Sequence, residues 1–205
     1  MKLSMTAVWA LILPGLLLAE PPATQPAGGM QQMDPETAAM AEAYTKAGAV
    51  TEHHAALKPM VGAFRAETKM PLPDGSFVTS QGRCVNTLEF GGRFLKQAYE
   101  GEFMGQPFKG LGYTGYNNLT GKYEGIWMDE MSTAVYFSTG TYDEASRTWT
   151  FHGEVADPIT GKPKAYKHVV TIKDDDHHGF AMYEPGPDGE MVRSFEINYA
   201  RMPGE

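Results

Sequence analysis

The residues with types suited to chemistry are six histidines, one cysteine and a scatter of carboxylates. Histidine is the commonest metal ligand and titrates near neutral pH, so the pairs His53-His54 and His177-His178 and the single His152 and His168 invite a metal or proton-transfer reading. Their spacing argues against it. Neighbouring residues diverge by about 100° on a helix and face opposite sides of a strand, so neither pair chelates by itself. Asp174-Asp175-Asp176 ahead of His177 reads as a solvated turn, and neither a metal nor a cofactor is expected. Cys84, standing alone, cannot form an internal disulfide and reads as a small buried apolar residue. There is no Gly-x-Ser-x-Gly elbow and no His-Glu-x-x-His, and the glycine-rich residues 110–115 fall on a strand rather than at a phosphate-cradling helix start. An enzyme built on this chain would have to draw on Asp129, Arg193 or a histidine gathered into a cavity.

Any such gathering depends on the elements that carry these residues. Residues 1–19 read MKLSMTAVWALILPGLLLA, with Lys2 near the start, an apolar run from Ala7 to Leu18, and Ala19 before Glu20. This is the pattern of a cleaved secretory signal. A membrane anchor needs about 20 uninterrupted apolar residues, whereas Pro14 and Gly15 break a shorter run. The expectation is an exported, periplasmic or secreted protein with no integral membrane span after cleavage. A net charge of −8 and no basic run exclude nucleic acid and anionic lipid as expected partners.

Residues 20–33 are rich in Pro, Gly and Gln and read as a flexible linker. Residues 34–58 carry helix signals. Asp34 is placed to cap, Pro35 to open the first turn, Glu36 and Lys46 to complement the dipole and Gly48 to end the helix. A second short helix is expected from Thr51 to the stop at Pro59. From 59 to 203, runs of Val, Thr, Tyr, Phe and Trp alternate with turn signals at intervals of about ten residues, giving about ten strands. No helical period follows Pro59, so neighbours should pair as antiparallel hairpins, and a long meander loses its exposed edges by closing on itself. The predicted fold is all-β: an antiparallel meander closed into a barrel, with short N-terminal helices. In GLGYTGYNNLTGKYEGIWMDEM, Gly110, Gly112, Gly115 and Gly125 let the wall bend, and Tyr113, Tyr116, Tyr123 and Trp127 can pack across the missing side chains. Asn118-Leu119-Thr120 matches a glycosylation acceptor triplet and is read as a chance match.

The ordered series VGAF, LEFGGRFLKQAYEG, GQPFKGLGYTGYNNLTGKYEGIWMD, STGTYD, DPITGK and FEINYAR resembles the bacterial family called domain of unknown function 1579, over roughly residues 51–201. Where that family carries Trp after Gly-x, this chain has Phe64. The resemblance implies a calycin-like barrel, related in architecture to lipocalins, and no established activity. It also implies structural roles for Gly62, Phe64 and Arg201. In such barrels a basic residue at the end of the last strand sits over the aromatic of the first, and a guanidinium over that ring would tie the two strands together.

Alternation on the fifth strand puts Tyr123, Gly125, Trp127 and Asp129 on one face and Glu124, Ile126, Met128 and Glu130 on the other, so the Trp127 face is predicted inward. On the last strand Arg193, Phe195, Ile197, Tyr199 and Arg201 share the face predicted inward. An inward Arg193 needs an acidic partner, and Asp129 could supply it, either as a purely structural pair or as a ligand clamp. The candidate cavity is lined by Tyr99, Tyr116, Trp127, Trp149 and Tyr183, with Asp129 and Arg193 as its polar groups. Three uses remain open: binding a small apolar or amphipathic ligand, an enzyme of unknown class, or a filled scaffold. N-terminal sequencing of exported protein should begin at or near Glu20, and intact Met1 in the membrane fraction would contradict the cleaved signal.

Overall fold

The computed structural model describes residues 34–72 and 74–204. The signal and linker expected at 1–33 lie outside the described residues. Helix α1 (Pro35–Ala47) is capped by Asp34, whose Oδ1 accepts the backbone N–H of Glu36 at 3.1 Å and of Thr37 at 3.0 Å. At its other end Asn118 Nδ2 donates to the carbonyls of Lys46, Ala47 and Ala49, with the shortest contact 2.8 Å. The side chain of the apparent glycosylation triplet therefore satisfies carbonyls that a helix end leaves without partners. The second helix is shorter than expected. α2 (Glu52–Ala55) is one turn, followed by a 3-10 turn over Lys58–Met60 that takes Pro59 into its first turn, where no N–H is required.

Ten strands follow: β1 (Gly62–Pro71), β2 (Phe77–Glu89), β3 (Phe94–Phe103), β4 (Gln106–Asn117), β5 (Lys122–Asp129), β6 (Tyr136–Asp143), β7 (Thr148–Ala156), β8 (Pro163–Ile172), β9 (His177–Pro185) and β10 (Met191–Arg201). Each pairs antiparallel with its neighbours in sequence, and β10 returns to β1 to close the barrel. Several hairpins owe their turns to an aspartate whose carboxylate binds the backbone two or three residues on. Asp74 does so for Ser76, Asp143 for Ser146 and Asp157 for Thr160.

The inside of the wall is shaped by aromatic rings lying over glycine. Trp127 lies on Gly110 and Gly112 of the adjacent strand, and a Cβ at either would collide with the indole. Tyr99 lies over Gly82 of the adjacent strand in the same way, and a Cβ at Gly101 would meet the Gly82 and Gln81 backbone as well as this ring. The glycines in the 110–125 stretch thus make room for a large flat side chain, which covers exposed backbone in return.

One end of the barrel is plugged. Leu57 and Met60, from the helical segment, pack against Leu95, Tyr123, Trp149, Phe151 and Ile172 as one buried cluster. Three side chains pin the plug to the wall: Tyr123 Oη donates to His53 O at 2.8 Å, Asn86 Nδ2 to Met60 O at 2.8 Å, and Arg201 to Val61 O and Pro59 O at 2.7 and 2.8 Å. Arg201 also lies 4.6 Å over the Phe64 ring and donates to Asp175 O. Gly62, with φ 127, leaves the space its guanidinium fills. Several charge-assisted bonds to part-buried carbonyls end together if this side chain is cut, so Arg201→Ala should cost about 3 kcal/mol of unfolding free energy by urea titration. Arg201→Lys should recover less than half of it, because a point charge cannot fork to two carbonyls. An Arg201→Ala midpoint equal to wild type would refute the closure role.

Candidate functional site

Beyond the plug the barrel is not filled. Phe64, Ala66, Cys84, Tyr99 and Tyr199 form a second buried cluster, with Phe108, Trp127, Phe180 and Ile197 packed partly against it. Above these lies a cavity of about 360 Å³ that opens at the end opposite the plug. Its walls mix rings (Tyr99, Trp127, Tyr166, Phe180) with a few polar groups.

Of the residues picked out from sequence, Tyr99, Trp127 and Asp129 face this cavity. Tyr116 and Trp149 do not. Trp149 is buried in the plugged end, stacked 4.2 Å from Tyr142, and Tyr116 stacks 4.1 Å from His53 beside α2. Tyr183 and Arg193 face outward. Even-numbered residues of β9, Phe180, Met182 and Glu184, point inward, which leaves Tyr183 outside under Lys167, 4.3 Å from its ring. On β10 the register shifts between Arg193 and Phe195, an irregularity that breaks the alternation assumed from sequence. Phe195, Ile197 and Tyr199 turn inward as expected, while Arg193 forms an ion pair with Glu196 at 2.6 Å. No Arg193–Asp129 pair exists. Asp129 instead accepts from Trp127 Nε1 at 2.9 Å through Oδ2 and from the Met131 N–H at 2.9 Å through Oδ1.

His168 on β8, named from sequence only as one histidine among six, lines the cavity together with Tyr166 on β8 and Phe180 on β9, which sequence reasoning missed. Tyr166 and His168 sit at alternate positions in Pro163–Ile172, so the period was present, but nothing in that polar-looking run marks which face is dry. His168 is stacked 4.6 Å from Phe151 and 5.4 Å from Phe180. It is surrounded by protein mass yet keeps accessible surface because the cavity adjoins it. Burial, with a small contribution from His152, lowers its pKa to about 4, so it is neutral at pH 7. His178 stacks 4.3 Å from Tyr199 and meets Phe64 edge-on, with Nε2 buried and without a partner. Burial first, then the charges of Arg201 and Lys173, lower its pKa to about 3. His54 serves α2: its Nδ1 accepts the Thr51 N–H at 3.1 Å.

The cysteine is equally inert. Burial raises the Cys84 thiol to about 12, and its Sγ donates to Asn86 Oδ1 at 3.1 Å. Among the described residues, no three His, Cys, Asp or Glu side chains gather as a metal site.

A closed ten-strand meander, plugged at one end and hollow at the other, places the protein among calycin-like barrels. A family model described as protein of unknown function (DUF1579) matches residues 49–201, and the chain belongs to that family. Among solved structures, the crystal structure of Rv2717c from M. tuberculosis superposes with a TM-score of 0.57 at 16% identity, covering 75% of this chain and 99% of that one. A redesigned β-barrel matches with a TM-score of 0.37 at 16% identity, covering 72% of this chain and 95% of that one. The first likeness is one of fold alone. No curated protein matches the chain.

His168 beside the cavity and the buried His178 set an acid limit on stability. Their folded pKa values lie below the ordinary 6.5, so between those values the unfolded chain binds more protons than the folded one. Stability is therefore retained above about pH 6.5 and falls as pH drops towards about 4 and then about 3. His178→Phe keeps the stacking shape and removes the titrating, unpartnered ring. It should be at least as stable as wild type at about pH 7 and lose less stability on going to about pH 4.5, measured by urea midpoints. An equal acid loss in the variant would contradict the assignment.

Proposed function

We propose that this protein is an exported carrier that holds one small amphipathic molecule in the open half of its barrel. The observation that supports this reading is the void itself. Protein interiors normally pack densely, and small barrels are commonly filled by their own side chains. Here one end is plugged by Leu57 and Met60 while the other leaves about 360 Å³, inside the range that small-ligand pockets occupy. The wall has the composition such pockets share, broad aromatic surface with a few polar groups. Trp127 contributes a packing face rather than a donor, because its N–H is already taken by Asp129. That same bond, with the one from Met131, engages both oxygens of Asp129 and favours a positioning role over a catalytic one.

Occupancy is tested by filling the space. Thr114 faces the cavity, and Thr114→Phe would place a ring in it. Saturable quenching of tryptophan fluorescence by an apolar probe such as decanol is expected for wild type. Thr114→Phe should weaken it about tenfold or more, with an unchanged unfolding midpoint. Trp127→Ala should also weaken binding. Saturable binding that neither substitution changes would locate the ligand elsewhere, and no binding by wild type would remove the carrier reading.

A further inference from the structure

The charge of the lining specifies the ligand further, an inference that rests on the carrier reading. Glu102, Asp129 and Glu184 lie around the cavity, and no lysine or arginine is among its lining residues. Glu184 is partly compensated by Lys164, 2.9 Å away and outside the lining. Glu102 has neither an ion pair nor a hydrogen bond among the described residues. Inside, the one titratable base, His168, is held neutral, so it adds no positive charge to the wall.

Two further observations point to an occupant. His168 is sandwiched between Phe151 and Phe180 and makes no hydrogen bond within the described residues, although it adjoins the cavity. Its imidazole keeps accessible surface on the cavity side, and a neutral ring offers both a donor and an acceptor to what lies there. Tyr136 stands at the rim between strands carrying the carboxylates. Burial first raises its phenol, and Asp129 and Glu184 raise it further against a smaller opposing effect of Lys164, so the field of these carboxylates reaches the ring. Aromatic faces beside that field, Tyr136 and Trp127, are surfaces over which a cation is stabilised.

We infer that the ligand is an amphiphile with a protonated amine: the ammonium lies at the acidic rim to which Glu102, Asp129 and Glu184 contribute, and the apolar body lies against Trp127 and Phe180. A fatty-acid carboxylate of the same shape would bring a further negative charge to a lining that already holds three carboxylates and no lysine or arginine, and its desolvation would be uncompensated.

Decylamine, decanol and decanoate, compared by calorimetric titration into wild-type protein at about pH 7, test this directly, since the three differ only at the head group. The amine should bind about tenfold tighter than decanoate, with decanol between them. The gap should narrow as salt is raised, as expected for a partly exposed charge pair. Glu102→Gln, at an exposed rim position that holds no other residue in place, should weaken decylamine a few-fold and leave decanol unchanged. Decanoate binding as tightly as the amine, or an amine preference untouched by both salt and Glu102→Gln, would overturn the inference while leaving the carrier reading intact. Failure of all three to bind would overturn both.

Discussion

Closing the sheet is the constraint on which the rest of the molecule depends, and one guanidinium is central to it. A meander of ten strands is an open sheet with two bare edges until β10 pairs with β1. Phe64 and Arg201 are partners in that pairing, and Arg201 reaches beyond it to the carbonyls of Pro59 and Val61 and to Asp175 in the β8–β9 turn. The same side chain thus joins the last strand, the first strand and the segment that plugs the barrel. Gly62 is required beside it because a Cβ there would occupy the guanidinium's place.

The plug divides the interior into unequal halves. Leu57 and Met60 complete a dense cluster around Trp149 and Tyr123 at one end. At the other end no equivalent segment enters among the described residues, and two of the wall aromatics lie over glycine. Trp127 on Gly110 and Gly112 and Tyr99 on Gly82 each press a large ring against bare backbone. That arrangement buries apolar surface without using up the central space, so a barrel can be stable and hollow together.

The fold was readable because its signals are local. Turn residues, strand periods and helix caps each lie within a few neighbouring residues, and the match to known motifs covered nearly all of the folded region. The interior was readable wherever alternation ran undisturbed: Tyr123 to Asp129 on β5 faces as the period requires. It failed at Arg193 because one irregular position between Arg193 and Phe195 reverses every face before it, and nothing in MVRSFEINYAR marks such a shift. Tyr116 and Trp149 were correctly read as inward and wrongly grouped with Trp127. Which end of a strand the plug occupies is a long-range fact, set by Leu57 and Met60 from a segment distant in sequence. His168 was named but not placed in the cavity, because a histidine among Lys167, Val169 and Thr171 looks ordinary until Phe151 and Phe180 are brought beside it.

A carrier must hold a molecule other than water in the hollow half of the barrel. Native mass spectrometry of protein purified from its own host without denaturation is the most direct measurement. The account predicts a population carrying one small bound molecule, released on unfolding and absent from Thr114→Phe prepared in the same way. A single unliganded mass for wild type, together with no gain in melting temperature from any of a panel of amines, alcohols and aromatics, would contradict it.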